Sequence, residues 1–252
     1  MQRRLAWRRA STVMANCLLR RTTAEFLGTG VLVTTVVGSG VMGSVLSDNL
    51  AVTLLINALS TVAVLGVLIW ALGPISGAHF NPVVTGVAMV RREMPVGEAL
   101  LYMVVQVLGA IAGAVLANVM FSLPAVEMST HARSGGGIWL GEVVATAGLL
   151  FVIGALTRTG RGHLGPVLVP AWIGAAYFFT SSTSFANPAV TIGRAFTDTF
   201  AGIAPASVPG FIVFQVIGAT AGALLTEWFY PRRGVTPEPL DLPDAIHHGP
   251  QA

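Results

Sequence analysis

Two asparagine-proline pairs are the residues best placed to do chemistry in this chain. Phe80-Asn81-Pro82-Val83-Val84-Thr85 recurs as Ala186-Asn187-Pro188-Ala189-Val190-Thr191. Asn favours the N-cap of a helix, and Pro favours the first turn, where its absent N–H would have no partner anyway. Asn81 and Asn187 are therefore read as the starts of two short helices, with Pro82, Val83, Pro188 and Ala189 in their first turns. A helix N-terminus carries about half a positive charge. Two such ends facing each other make an electropositive waist whose amide groups can donate hydrogen bonds to a solute oxygen. That chemistry opposes cations and hydronium and suits neutral hydrogen-bonding solutes.

Few other residues offer chemistry. His79, two positions before Asn81, reads either as a pH gate or as a fixed hydrogen-bond donor lining the same passage, and the fixed donor is expected. The single Cys17 has no partner within the chain, and the adjacent His247 and His248 are a weak metal signal. No nucleophile-base order, phosphate loop or ligand cluster is recognised, so no enzyme, metal or cofactor is expected. The sequence pI is near 9.7, but the net charge is only +3 and no aromatic-basic module accompanies it, which leaves nucleic acid out.

The elements that must position the Asn residues can be read from composition. With 54% hydrophobic residues, 10% charged and a mean hydropathy of +0.74, the chain reads as membrane-embedded. Full helices are expected at about 23–46, 49–72, 97–121, 138–157, 165–180 and 207–229, each near the ~20 residues a span requires. The uncharged run 49–90 is too long for one span, and Gly73, Pro74, Ser76 and Gly77 interrupt it. The piece beginning at Pro82 is about half a span, read as a re-entrant half-helix. Re-entry places Arg91 and Arg92 on the side of the Arg-rich N-terminus, which the positive-inside rule makes cytoplasmic, together with Arg158, Arg161, Arg232 and Arg233. Only Arg133 and Arg194 fall outside.

A second repeat accompanies the first. Gln106-Val107-Leu108-Gly109-Ala110-Ile111-Ala112-Gly113-Ala114 recurs as Gln215-Val216-Ile217-Gly218-Ala219-Thr220-Ala221-Gly222-Ala223, and Ala24-Glu25 has an echo in Gly141-Glu142. Three helices per half is an odd number, so the second half (about 138–230) enters the bilayer inverted relative to the first (about 23–121), and the half-helices meet near the midplane. Gly109 and Gly113, like Gly218 and Gly222, open one helix face for close approach. The channel region is thus 23–230, preceded by an extension, 1–22, and followed by a flexible tail, 231–252. For the N-terminal segment a transit peptide, a membrane-surface helix and residues upstream of a start at Met14 stay open beside Met1. A cytoplasmic extension is expected, with both termini on the cytoplasmic side of a bacterial inner membrane.

Ala24-Glu25-Phe26-Leu27-Gly28-Thr29, Ser76-Gly77-Ala78-His79-Phe80-Asn81-Pro82-Val83 and Phe185-Ala186-Asn187-Pro188-Ala189 together resemble the aquaporins of the major intrinsic protein family over about 22–230. The resemblance implies an all-α, aquaporin-like fold of six transmembrane helices and two re-entrant half-helices, and a homotetramer with one pore per subunit. It also implies that Glu25 and Glu142 accept hydrogen bonds from the re-entrant loops, with Gln106 and Gln215 as loop supports. The rival is a proton-coupled secondary transporter in which the carboxylates titrate. Asn-Pro-Val replaces the usual first Asn-Pro-Ala. Counting by the family's spacings puts its four-residue selectivity filter at Thr61, Ala175, Ser184 and Val190, with Val190 where the family usually has Arg. All four are small and uncharged, so a wide, arginine-free filter is expected. It would pass water, glycerol-like polyols and urea, and, by resemblance to bacterial members lacking that Arg, arsenite and related arsenicals. Arg194, one turn beyond Val190, offers a second possibility: it either reaches back over the filter or is drawn outward by Asp198.

Overall fold

The computed structural model describes residues 2–232, with side chains described from Cys17 onward. The segment 233–252, including His247 and His248, lies outside the described residues. Among the described residues eight α-helices occur in the order α1 Gln2–Leu46, α2 Leu50–Ser76, α3 Pro82–Val90, α4 Val96–Met120, α5 Gly136–Arg158, α6 Gly165–Phe179, α7 Pro188–Gly193 and α8 Val208–Phe229. Among the described residues there is no strand. Among them six stretches are long and apolar enough to cross a membrane: Cys17–Leu46, Leu50–Ser76, Val96–Met120, Gly136–Arg158, Gly162–Phe179 and Pro205–Phe229. The two short helices, α3 and α7, are the half-helices. The fold is six spans and two half-helices in an inverted repeat.

Two boundaries differ from expectation. No break separates 2–22 from the first span, because that segment is rich in Arg, Ala and Leu, which are good helix formers, and contains no Pro or Gly. Helix α2 runs through Pro74 to Ser76. Pro74 forgoes only one backbone hydrogen bond, and the helix stops at Gly77, whose left-handed φ of 89° lets its N–H return to Gly73 O.

Packing is led by α1 on α4 and by α5 on α8, the same pair in each half. The glycines explain the closeness. A Cβ on Gly109 would stand 2.3 Å from Phe26 O and one on Gly113 2.2 Å from Gly30 O. In the second half, Gly218 would meet Val143 O at 2.5 Å and Gly222 would meet Ala147 O at 2.2 Å. Each partner in the second half stands in the place of its counterpart in the first, so one helix-helix joint is built twice. Lipid offers no hydrophobic drive between helices, and backbone approach at small residues supplies dispersion instead. The outward faces carry exposed apolar residues such as Leu59, Val67, Trp70, Leu108 and Val216, as a lipid-facing surface requires.

Candidate pore and selectivity filter

Asn81 (φ −155°, ψ 119°) and Asn187 (φ −157°, ψ 112°) are extended N-caps. Asn81 Oδ1 accepts from Val83 N–H at 3.1 Å, and Asn187 Oδ1 accepts from Ala189 N–H at 2.9 Å and Val190 N–H at 3.3 Å. Their amide groups cross over. Asn81 Nδ2 donates to Ala186 O at 2.8 Å, and Asn187 Nδ2 donates to Phe80 O at 2.7 Å. Each Asn thereby caps its own half-helix and ties down the opposite loop, leaving one N–H per amide for a solute.

The loops before the caps are strained. Ala78, Phe80, Ser184 and Ala186 hold φ between 47° and 54°, a left-handed region that residues bearing a Cβ seldom occupy. Buried carboxylates hold them there. Glu25 accepts from His79 N–H (3.0 Å), Phe80 N–H (2.7 Å), Ser76 Oγ–H (2.6 Å) and Gln106 Nε2–H (2.7 Å). Glu142 accepts from Phe185 N–H and Ala186 N–H, both at 2.9 Å, and from Gln215 Nε2–H at 2.6 Å. Gln106 and Gln215 also donate to Thr85 Oγ1 and Thr191 Oγ1 of the half-helices. Both carboxylates are fully buried and neither lines the cavity.

A cavity of about 330 Å³ runs from Arg91, Glu93 and Thr157 past His79, Asn81 and Asn187 to Thr61, Tyr177, Ser184, Val190 and Arg194. The expected waist residues Pro82, Val83, Pro188 and Ala189 are not on its wall. Helical rotation of about 100° per residue turns those positions away and brings Val84 and Val190 round to the cavity. His79 lies on the wall with Nδ1 3.0 Å from Thr85 Oγ1 and its ring against Tyr102.

Thr61, Ser184 and Val190 share the far end of the cavity, whereas Ala175 is exposed on the outside of α6. The inward stripe of α6 is Val169, Ile173 and Tyr177, spaced four apart, so Tyr177 takes the place expected of Ala175. Its hydroxyl donates to Thr61 Oγ1 at 3.3 Å. The stripe is readable from helical period alone.

Arg194 takes the inward of its two expected places. Val190 follows the second motif, but Arg194 lies on the same wall, only 3% exposed. Its guanidinium carbon sits 3.5 Å from the centroid of the Phe185 ring, and Nε donates to Ala201 O. Asp198 does not draw it outward. That carboxylate accepts from Thr130 N–H (2.8 Å) and Thr130 Oγ–H, lies 3.6 Å from His131 Nε2, and is held below the usual carboxylate range chiefly by the Thr130 N–H. Arg133 faces the same Phe185 ring at 5.5 Å and donates to Gly202 O and Phe200 O. At the opposite mouth Glu227 of α8 pairs with Arg91, just past α3, at 3.2 Å and with Arg158 of α5. Among the described residues no group of three or more His, Cys, Asp or Glu side chains is placed to hold a metal.

Comparison with known proteins agrees with this architecture. The family model described as "Major intrinsic protein" matches residues 12–186, ending one residue before Asn187. The chain is 47% identical over 211 residues to the aquaglyceroporin AqpS of Rhizobium meliloti, covering 84% of this chain and 90% of that protein. It is 30% identical over 245 residues to an aquaporin of Laccaria bicolor, covering 84% and 92%. The solved aquaglyceroporin of Plasmodium falciparum superposes with a TM-score of 0.63 at 21% identity, covering 85% of this chain and 96% of that one. A repeated span-and-half-helix architecture, two crossed Asn caps and these likenesses give one conclusion: the chain belongs to the major intrinsic protein family, and is a multi-pass membrane channel rather than an enzyme.

Proposed function

We propose that the chain passively conducts small uncharged solutes: water, glycerol-like polyols and urea, together with neutral metalloid hydroxides such as arsenite. The observation that carries this reading is the pair of crossed Asn amides on the wall of a continuous cavity. Each amide keeps one N–H for a solute oxygen, and two half-helix N-termini oppose cations there. The 47% identical relative is named an aquaglyceroporin, which supports a polyol-sized cargo. Val190 supports a wide passage, because the side chain at this wall position after the second motif is short and apolar. Proton coupling is disfavoured, since Glu25 and Glu142 are occupied by backbone N–H groups behind the loops. The assembly is a homotetramer in a bacterial inner membrane, with the face carrying Arg91, Arg158 and Glu227 cytoplasmic.

Stopped-flow swelling of proteoliposomes with water, glycerol, urea and arsenite tests the reading, comparing the native chain with Val190→Arg. Flux of the larger solutes should exceed that of empty lipid and fall more than water flux in the variant. An unchanged solute ranking removes Val190 from selection, and uphill accumulation driven by a pH gradient defeats the channel itself.

A further inference from the structure

We propose that Arg194 is the selectivity cation of this channel, reaching the constriction from one helical turn beyond Val190. The inference rests on the channel reading above and adds a residue that decides between solutes.

The repeat shows why Arg194 stands out. Val84 and Val190 occupy matching places after the two motifs, and each is followed four residues later by a second wall residue, Ala88 in the first half and Arg194 in the second. The scaffold therefore accepts a methyl group at this place, and a guanidinium is not needed to build it. Arg194 is nevertheless buried, and no carboxylate pairs with it among the described residues. Burying an unpaired cation is unfavourable unless its donors find partners. The ring of Phe185 supports one face of the guanidinium and Ala201 O takes Nε–H. Neither Nη has a hydrogen-bond partner among the described residues, and Arg194 lines the open cavity.

Other polar groups converge there. The Thr61 and Tyr177 hydroxyls line the same end of the cavity, beside Ser184, whose Oγ is buried. The guanidinium offers N–H donors only, whereas the Thr61 hydroxyl, whose proton goes to Asn57 O, can accept. Together they match a small neutral solute with at least two hydroxyls, one oxygen accepting from Arg194 and another O–H donating to Thr61. The same fixed charge repels small cations at this end of the cavity.

The test measures glycerol, ethylene glycol, propanol and methylammonium flux through proteoliposomes containing native chain, Arg194→Met or Arg194→Lys, each checked for monodispersity and thermal melting. Arg194→Met should lose the preference for diols over propanol and raise methylammonium flux about tenfold or more, because a nearby unit charge has been removed. Arg194→Lys should restore cation exclusion without the full diol preference, since an ammonium lacks the planar fork. If Arg194→Met is not recovered folded, Phe185→Leu removes the supporting ring and should move the same two ratios in the same direction. Native-like ratios in Arg194→Met, or in Phe185→Leu when it is the variant recovered, overturn the role of Arg194 and leave the channel standing. Native chain no faster than empty lipid for every neutral solute overturns both.

Discussion

The four interhelical glycines should be intolerant of a single methyl group, and the structure says by how much. In Gly113→Ala the new Cβ would lie 2.2 Å from Gly30 O, 2.9 Å from Gly30 C and 3.1 Å from Gly30 Cα. All three are backbone atoms that cannot rotate aside, so α4 must retreat from α1 by roughly 1 Å to restore van der Waals contact. Overpacking of this kind costs about 1–3 kcal/mol. The retreat also stretches Gln106 Nε2···Glu25 from 2.7 Å and Gln106 Nε2···Thr85 from 3.0 Å toward the limit of a hydrogen bond. Losing one buried donor's partner adds about 1–3 kcal/mol. The expected total is about 2–6 kcal/mol. Gly97→Ala is the control. It lies in the same helix with nothing within 4 Å of its added Cβ, and should be neutral or stabilising by up to ~1 kcal/mol. Thermal melting in detergent, followed by stopped-flow water permeability per channel, measures both effects. Gly113→Ala and Gly222→Ala melting alongside Gly97→Ala would show that the joint is not set by backbone contact.

Three further outcomes are expected. Asn187→Asp keeps an oxygen for the cap but gives up the N–H donated to Phe80 O, so stability falls by about 1–3 kcal/mol and glycerol flux drops as a negative charge enters the waist; unchanged melting and flux refute the cross-brace. Asp198 has its pKa lowered on folding, so its stabilising contribution is complete above its unfolded pKa of about 4 and is lost as pH falls through the lower folded value. Hydrogen exchange at the Thr130 amide, corrected for intrinsic rate, should therefore keep constant protection from about pH 8 to 5 and lose it in more acid solution, and loss near neutrality would contradict the assignment. Glu227→Gln weakens its partly exposed pairs with Arg91 and Arg158 by about 0–1 kcal/mol each; the melting loss should shrink in high salt without a change in solute ranking, and a changed ranking would place the cluster in selection.

Much of this architecture is legible from local pattern. The half-helices come from Asn and Pro in cap and first-turn positions, and the inverted repeat from an odd number of apolar runs between matched motifs. The filter is less legible because its spacing is counted through a turn. Between α6 and Asn187 the chain passes Thr183, Ser184 and Ala186, all with positive φ, so sequence distance says little about which face of α6 points inward. That count reaches Ala175, whereas the period of α6 itself reaches Tyr177. Arg194 poses a different difficulty. Val190 and Asp198 are each four residues away, and local spacing favours neither. Distant residues decide it: Thr130 engages the Asp198 carboxylate, while Phe185 and Ala201 hold the guanidinium.

The two halves also separate support from selection. At the supporting positions the repeat is nearly faithful: a carboxylate takes consecutive loop N–H groups, a Gln ties it to a half-helix Thr, and an Asn crosses to the other loop. Where side chains meet the cavity the repeat breaks. His79 and Phe185 are counterparts, and each donates its backbone N–H to the buried Glu of its half. Yet His79 presents a ring nitrogen to Thr85 Oγ1, while Phe185 has no such atom and Thr191 Oγ–H turns to Asn187 O. The aromatic partner changes as well, from Tyr102 to Phe211. One end of the passage thus receives a polar ring and the other an apolar ring that can support a guanidinium. Because the loop is held through backbone atoms in both halves, the side chain at this position is free to vary without loosening the waist, and that freedom is what lets a symmetric scaffold carry two chemically different mouths.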